Sequence, residues 1–286
     1  MSIQLITDST AYIPELLLKE HQIHVVSLGV HYDDKHRDET EMDYGKFYQH
    51  LKKNNVLPTS SQPPVEKFVT FFTNAAKAGE SVIGVFISSD MSGTYSTASM
   101  ARDMVLDQHP EADIHLIDSR TNCMEMGFAV LEAATLRETN RTALEIATSI
   151  TGFVQRSRFV FVPKTLDYLK KGGRIGGASA LIGSVLKILP ILTVEEGKTA
   201  ILTKVRTQGK AIKTMVDEMM TDFEKYGCGQ VAVHHIHDED AGNALAEKLS
   251  KKINRKVPVI PIGPVIGLHV GPGTVGIAYT TQKNRL

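Results

Sequence analysis

Short apolar runs alternate with helical patterns along the first half of this chain, and that alternation narrows the fold more than any other feature. Gln4 to Thr7 and His24 to Val30 read as strands, with a helical pattern from Pro14 to Glu20 between them. Helical patterns follow at Tyr44 to Lys53 and Val65 to Ala78. Val82 to Ile87 is a continuous apolar run, the mark of a parallel strand buried on both faces. Ser92 to Gln108 reads as a helix, Ile114 to Ile117 as a strand and Cys123 to Glu138 as a helix. Thr142-Ala143-Leu144-Glu145 has the capping-box spacing that opens the next helix. Such alternation predicts a parallel sheet covered on both faces. Ligands of such sheets sit beyond the carboxyl ends of the strands.

The second half has another texture. Phe159 to Val162 reads as a strand and Thr165 to Lys171 as a short helix. Leu192 to Glu195 and Thr199 to Val205 flank Glu196-Gly197-Lys198 in a hairpin pattern. A long helix is expected from Thr207 to Lys225, then a strand at Val231 to His235 and a helix at Ala241 to Ile253. Val257 to Ile262 and Gly273 to Tyr279 complete the strands. The expectation is a second α/β domain with some antiparallel pairing. At 286 residues the chain is long enough for two domains, placed here at 1–156 and 157–286.

Three hydroxyl-rich segments read as turns: Thr7-Asp8-Ser9-Thr10, Thr59-Ser60-Ser61-Gln62-Pro63 and Ser88-Ser89-Asp90-Met91-Ser92-Gly93-Thr94. The first and third follow apolar runs. Hydroxyls and free N–H groups at such places can hold an anionic head group. Helix capping is the better explanation of any one of them alone; three together favour a binding site. The 32 Lys and Arg balance 32 Asp and Glu, which argues against nucleic acid as the main partner. Cys123 and Cys228 form no zinc or redox pair, and together with the absence of a signal-like leader they suggest a cytoplasmic setting.

Other motifs carry less. Gly172-Gly173-Arg174-Ile175-Gly176-Gly177 lacks a Walker A ending and follows a helix, so its glycines read as a helix stop. Lys164, Lys170, Lys171, Arg174 and Lys187 stand against the single acid Asp167, with Arg206 further on; an anionic partner and a solvated face are both open. The aliphatic stretch Ala178 to Leu192 reads as core, with a pocket wall or lid as alternatives. His31 and His36 lie in a charged segment and read as solvated. His235 and His237 share a face but lack a third partner, so no metal site is expected. His269 sits in Gly267-Leu268-His269-Val270-Gly271-Pro272-Gly273, read as a glycine-rich turn that lets a ligand approach closely. A serine hydrolase built on Ser92 and His269, with Asp8 or Asp118 as orienting acid, is a rival reading. A regulatory protein binding a small anion is another.

Taken in order, Thr7-Asp8-Ser9-Thr10, Ser60-Ser61-Gln62-Pro63, Ser92-Gly93-Thr94-Tyr95, Ile117-Asp118-Ser119, Gly173-Arg174-Ile175, Val205-Arg206-Thr207 and His269-x-Gly271 resemble the DegV family, also called FakB proteins. The resemblance runs from the first strand to the last. It implies a two-domain α/β protein that encloses one long-chain fatty acid between its domains, without catalytic residues, cofactor or metal of its own. A separate ATP-dependent kinase subunit would phosphorylate the presented carboxylate, feeding phospholipid metabolism. Transferred to this sequence, the carboxylate ligands are Ser60, Ser92 and His269, with Thr59 and Gly93 as further candidates. Ser60 stands where the family usually has Thr, which leaves open whether Thr59 or Ser60 supplies the hydroxyl. Arg174 and Arg206 match the arginines that face the kinase and the phosphoryl group. Ala178 to Leu186 corresponds to the helix through which the site opens near a membrane surface.

Overall fold

The computed structural model describes residues 2–53, 57–181 and 188–285. Four parallel strands form the first sheet in the order Ile23–Val26, Ile3–Asp8, Ser81–Phe86, Ile114–Asp118. Ser81–Phe86 is buried along its whole length because helices cover both faces. The pleat sends Ile6, Val82 and Phe86 to one side, where they pack on Phe68 and Phe72 of helix Val65–Ala78 and on Ala98 and Ala101 of helix Thr94–Leu106. Leu5, Ile83 and Val85 point the other way, into a core built with helices Cys123–Arg137 and Ala143–Phe153. The expected capping box is present: Thr142 Oγ1 accepts from Glu145 N at 3.3 Å and Glu145 Oε2 accepts from Thr142 N at 2.8 Å.

The second sheet has six strands in the order Lys198–Val205, Leu189–Glu195, Ser157–Val162, Val275–Thr281, Cys228–His235, Val259–Pro261. All neighbours are antiparallel except the last pair. One face packs on helices Gln208–Tyr226 and Glu239–Ile253 through Met215, Met219 and Leu249. From the other face Phe159, Phe161 and Ala278 enter the same core as helix Cys123–Arg137. That helix therefore lies between the two sheets, continuously buried from Cys123 to Leu131, which is why that part of its sequence lacks a polar stripe. His234 reinforces the junction. Its Nε2 accepts the Met124 N–H at 3.0 Å while its other ring nitrogen lies 3.0 Å from Ile260 O, and burial pushes its pKa down to about 4.

The chain departs from the sequence expectations in three places. His24 to Val30 is not one strand: the chain leaves the parallel sheet after Val26, and Gly29–Tyr32 joins a separate antiparallel sheet with Lys35–Asp38 and Thr59–Ser61. Gly29 permits this, since a Cβ there would meet His36 Cε1 at 2.0 Å and Ser61 Oγ at 2.7 Å. The charged segment with His31 and His36 is thus a hairpin whose Asp33 and Asp34 take positive φ, and the exposed rings stand 3.1 Å apart, nitrogen to nitrogen. Thr59–Ser61 is an edge strand rather than a turn. The glycine-rich segment before the last strand is mostly helix, Pro264–Val270, started by a proline at its first position. Gly267 belongs to that helix because a Cβ would fall 1.9 Å from Tyr48 Oη.

Of the aliphatic stretch, Ala178 and Leu181 are buried in a short 3-10 segment and Ile191 and Leu192 in a strand. Its residues 182–187, including Lys187 and part of the expected lid, lie outside the described residues. Among the described residues no helix is long and apolar enough to cross a membrane, and no cluster of three or more His, Cys, Asp or Glu could hold a metal.

Glu125, in the first turn of the central helix, makes the cost of the seam measurable. Its carboxyl accepts from Thr121 Oγ1 at 2.5 Å and Ser157 Oγ at 3.1 Å, yet burial pushes its pKa up to about 7. A carboxyl raised in the folded state stabilises the fold fully below its unfolded value, and that contribution is lost as pH rises through about 7. Relative to Glu125→Gln, the wild type should therefore lose roughly 3 kcal/mol of stability between pH 5 and pH 8. Urea unfolding of both proteins at the two pH values checks this; a constant difference would mean that Glu125 ionises normally.

Candidate functional site

The seam between the sheets is not filled completely. Beyond the carboxyl ends of the parallel strands lies a narrow cavity, with about 80 Å³ of room for the centres of water-sized spheres, partly open to solvent. Its apolar wall comes from both halves: Leu28, Ile87 and Met91 on one side, Phe159, Phe161 and Val265 on the other. Its polar residues include Ser60, Ser61, Gln62, Ser92, Arg174 and His269.

Ser60 and His269 meet across 209 residues of sequence, with Oγ 2.9 Å from Nε2. Ser60 is on the short edge strand and His269 in the last turn of helix Pro264–Val270. Burial, and secondarily the positive charge of Arg174, pushes the His269 pKa down to about 4. At neutral pH the ring is therefore uncharged and offers one N–H. Its Nδ1 is buried and has no hydrogen-bond partner among the described residues. That side of the ring rests against Gly172, where a Cβ would come within 2.3 Å of Nδ1. The glycine that ends helix Asp167–Lys171 thus also makes room for the histidine.

Ser92 and Gly93 reach the cavity from the loop between Ser81–Phe86 and helix Thr94–Leu106. Ser92 Oγ accepts the Thr94 N–H at 3.3 Å and lies 2.9 Å from Thr94 Oγ1, so it is tied to the first residue of the helix while it lines the cavity. Gly93 is tight because a Cβ would meet Gln62 Oε1 at 2.6 Å. Thr59 is exposed and does not line the cavity; Ser60 does. Arg174 sits at the rim, where it donates from Nε to Met91 O at 3.2 Å and from Nη1 to Gly172 O at 2.7 Å. Arg206 is exposed and lies outside the cavity.

The first hydroxyl segment does not line the cavity. Thr7, Asp8, Ser9 and Thr10 are buried, and they brace the fold. Asp8 accepts from Thr10 and from Ile87 N at 2.8 Å, Thr7 donates to Val85 O at 2.8 Å, and Ser9 donates to Glu39 at 2.5 Å. Asp118 is likewise engaged, by Ser89 and Arg120. Neither acid orients His269, and the histidine faces Ser60 instead of Ser92, so the hydrolase arrangement is not assembled.

Sequence reasoning missed two groups around the site. Arg120 bonds Asp90, Asp118 and Glu196 O, and Ser88 donates to Gly197 O at 2.7 Å, which ties the Ser92 loop to the hairpin of the other half. Asn122, with its amide nitrogen 3.1 Å from Met91 Sδ, also lines the cavity. Only the clustering of charge near Asp90 and Glu196 could have hinted at the first.

Gly172→Ala should keep the wild-type circular dichroism spectrum while displacing the His269 ring. Nitrogen-15 NMR of the imidazole reads that displacement; unchanged resonances would show that the ring has room for a methyl group.

The DegV family pattern matches residues 2–282 of the chain. A DegV domain-containing protein of Clostridium acetobutylicum is 45% identical over 284 residues, covering 99% of each chain. The crystal structure of DegV from Bacillus subtilis, described as a fatty acid binding protein, superposes with a TM-score of 0.89 at 34% identity, covering 98% of this chain and 99% of that one. A Thermus thermophilus DegV family protein, whose structure concerns fatty acid binding, gives 0.87 at 29% identity over 98% of this chain and 100% of that one. The ordered motifs, the paired sheets and these matches from end to end agree: the chain belongs to the DegV family.

Proposed function

We propose that this protein binds one long-chain fatty acid in the cavity between its two units, divided near Arg156, and presents the carboxylate to a separate ATP-dependent fatty acid kinase subunit. One observation carries the reading: one cavity holds a polar end, with the Ser60–His269 pair and Ser92, and an apolar wall drawn from both halves of the chain. The family relatives that bind fatty acids support it.

The division of labour is physical. Each methylene buried contributes roughly 0.8 kcal/mol, so a chain of about sixteen carbons gains on the order of 10 kcal/mol before binding costs. The tail supplies affinity. The hydroxyls of Ser60 and Ser92 and the N–H of neutral His269 donate to the carboxylate and fix its register. A carboxylate beside His269 also offsets the positive field of Arg174, which otherwise disfavours a charged ring.

Arg174 and Arg206 take different parts in this reading. Arg174 touches the cavity rim and serves both the carboxylate and the incoming phosphoryl group. Arg206 stands apart on the surface and serves the kinase contact alone. The chain carries no recognisable ATP loop and acts as a carrier in the cytoplasm, with transient membrane contact for loading.

Organic extraction of purified protein followed by lipid mass spectrometry should recover fatty acid; an empty protein that ignores added palmitate would sink the proposal. His269→Ala and Ser92→Ala should each weaken palmitate binding roughly tenfold or more while leaving thermal unfolding cooperative. Arg206→Ala should keep palmitate affinity within about twofold yet lose acyl-phosphate formation with the kinase subunit and ATP. Full kinase-coupled turnover in that variant would remove Arg206 from the contact.

A further inference from the structure

Helix Pro264–Val270 places Val265, Ile266, His269 and Val270 on the cavity, and its proline start carries no local side-chain cap. Gly263 before it has no side chain to cap it, and Pro264 has no N–H. Val265 and Ile266 are then the first residues with unpaired backbone donors, and they are buried. The donors are met from the other end of the sequence. Glu39 Oε1 accepts the Val265 N–H at 2.8 Å, and Tyr12 Oη accepts the Ile266 N–H at 3.4 Å while donating to the same Oε1 at 3.0 Å.

Glu39 is itself held. Ser9 Oγ donates to its Oε2 at 2.5 Å and accepts the Leu28 N–H at 3.2 Å, and the Glu39 N–H returns to Leu28 O at 2.9 Å. Leu28 is part of the cavity wall. A Cβ on Gly263 would stand 2.5 Å from Glu39 Oε1, so the glycine is what lets the carboxylate reach the helix. Glu39 is fully buried.

We infer that Glu39 is a positioning residue: its carboxylate pins the first turn of helix Pro264–Val270 and so holds His269, one helix length away, against Ser60. This rests on the carboxylate-binding role proposed above for His269. The helix has two ends in the same rigid unit, so releasing the first turn lets the last one shift. That turn adds Val265 and Ile266 to the tail-binding wall, but Ile87, Met91, Phe159 and Phe161 come from other elements, so the tail loses less than the head group when the turn is released.

The test compares palmitate with 1-hexadecanol, which has the tail without the carboxylate, by displacement of a fluorescent fatty acid from the full chain. Glu39→Leu removes the acceptor. It should weaken palmitate roughly tenfold while hexadecanol stays within about twofold, and it should shift the His269 imidazole nitrogen resonances. Glu39→Gln keeps an oxygen for Val265 and Tyr12, and should restore both readouts. Equal loss of both ligands, or loss of neither, would overturn the inference. If Glu39→Leu does not fold, Tyr12→Phe decides. It deletes the hydroxyl between Glu39 and Ile266, and should weaken palmitate alone by about threefold and move the His269 signals. Unchanged palmitate binding and unchanged signals would overturn the inference. A wild type that binds no palmitate would instead sink the function proposed above, and the His269 resonances of the variants would still decide the positioning role.

Discussion

One helix placed between two sheets sets the terms for everything else. Cys123–Arg137 receives Leu5, Ile83 and Val85 from the parallel sheet and Phe159, Phe161 and Ala278 from the antiparallel one, so both halves of the chain share one apolar core. Neither sheet could bury that face alone. The helix also brings polar groups into the seam, and each finds a specific partner: Glu125 with Thr121 and Ser157, and the Met124 N–H with His234. Those partners are expensive to lose because nothing else in the seam can replace water.

The cavity follows from the same geometry. Parallel strands end in loops at one edge of their sheet, and Phe159 and Phe161 of the second sheet face that edge across the cavity. Its polar residues come from an edge strand (Ser60), a helix end (His269) and a loop (Ser92), and its apolar ones from strand (Phe159, Phe161), loop (Ile87, Met91) and helix (Val265). The site is thus amphipathic by construction. Its histidine is kept neutral by burial and held by groups far away in sequence, Ser60 on one side and Gly172 on the other.

Glycine has several distinct uses around this seam. Gly29 lets a strand leave the parallel sheet, Gly172 admits the His269 ring, and Gly263 admits the Glu39 carboxylate. In each case the residue is defined by what approaches it. The approaching atom comes from a distant stretch of chain, so no local pattern marks these three glycines apart from ordinary turn glycines.

Much of the architecture was legible in the residues alone. The alternation from Gln4 to Glu138 gave the parallel sheet, because fully buried strands must be continuously apolar. The capping box at Thr142 and the hairpin at Glu196-Gly197-Lys198 were local and came out as read. The third hydroxyl segment was correctly placed at a strand end beside the cavity. Tertiary structure decided what depends on long-range contact. It made an edge strand of Thr59–Ser61, because pairing to Gly29–Tyr32 outweighs the turn character of serine. It drew Pro264–Val270 into a helix despite its glycines, because Tyr48 and Glu39 supply the partners that make it stable. It retired Thr7 to Thr10 from the site, because their hydroxyls and carboxylate are spent on the backbone and on Glu39. Periodicity reports which face of an element is buried, and that is a local property. Which buried polar groups meet, and across how many residues, is settled only when the two halves close on one another.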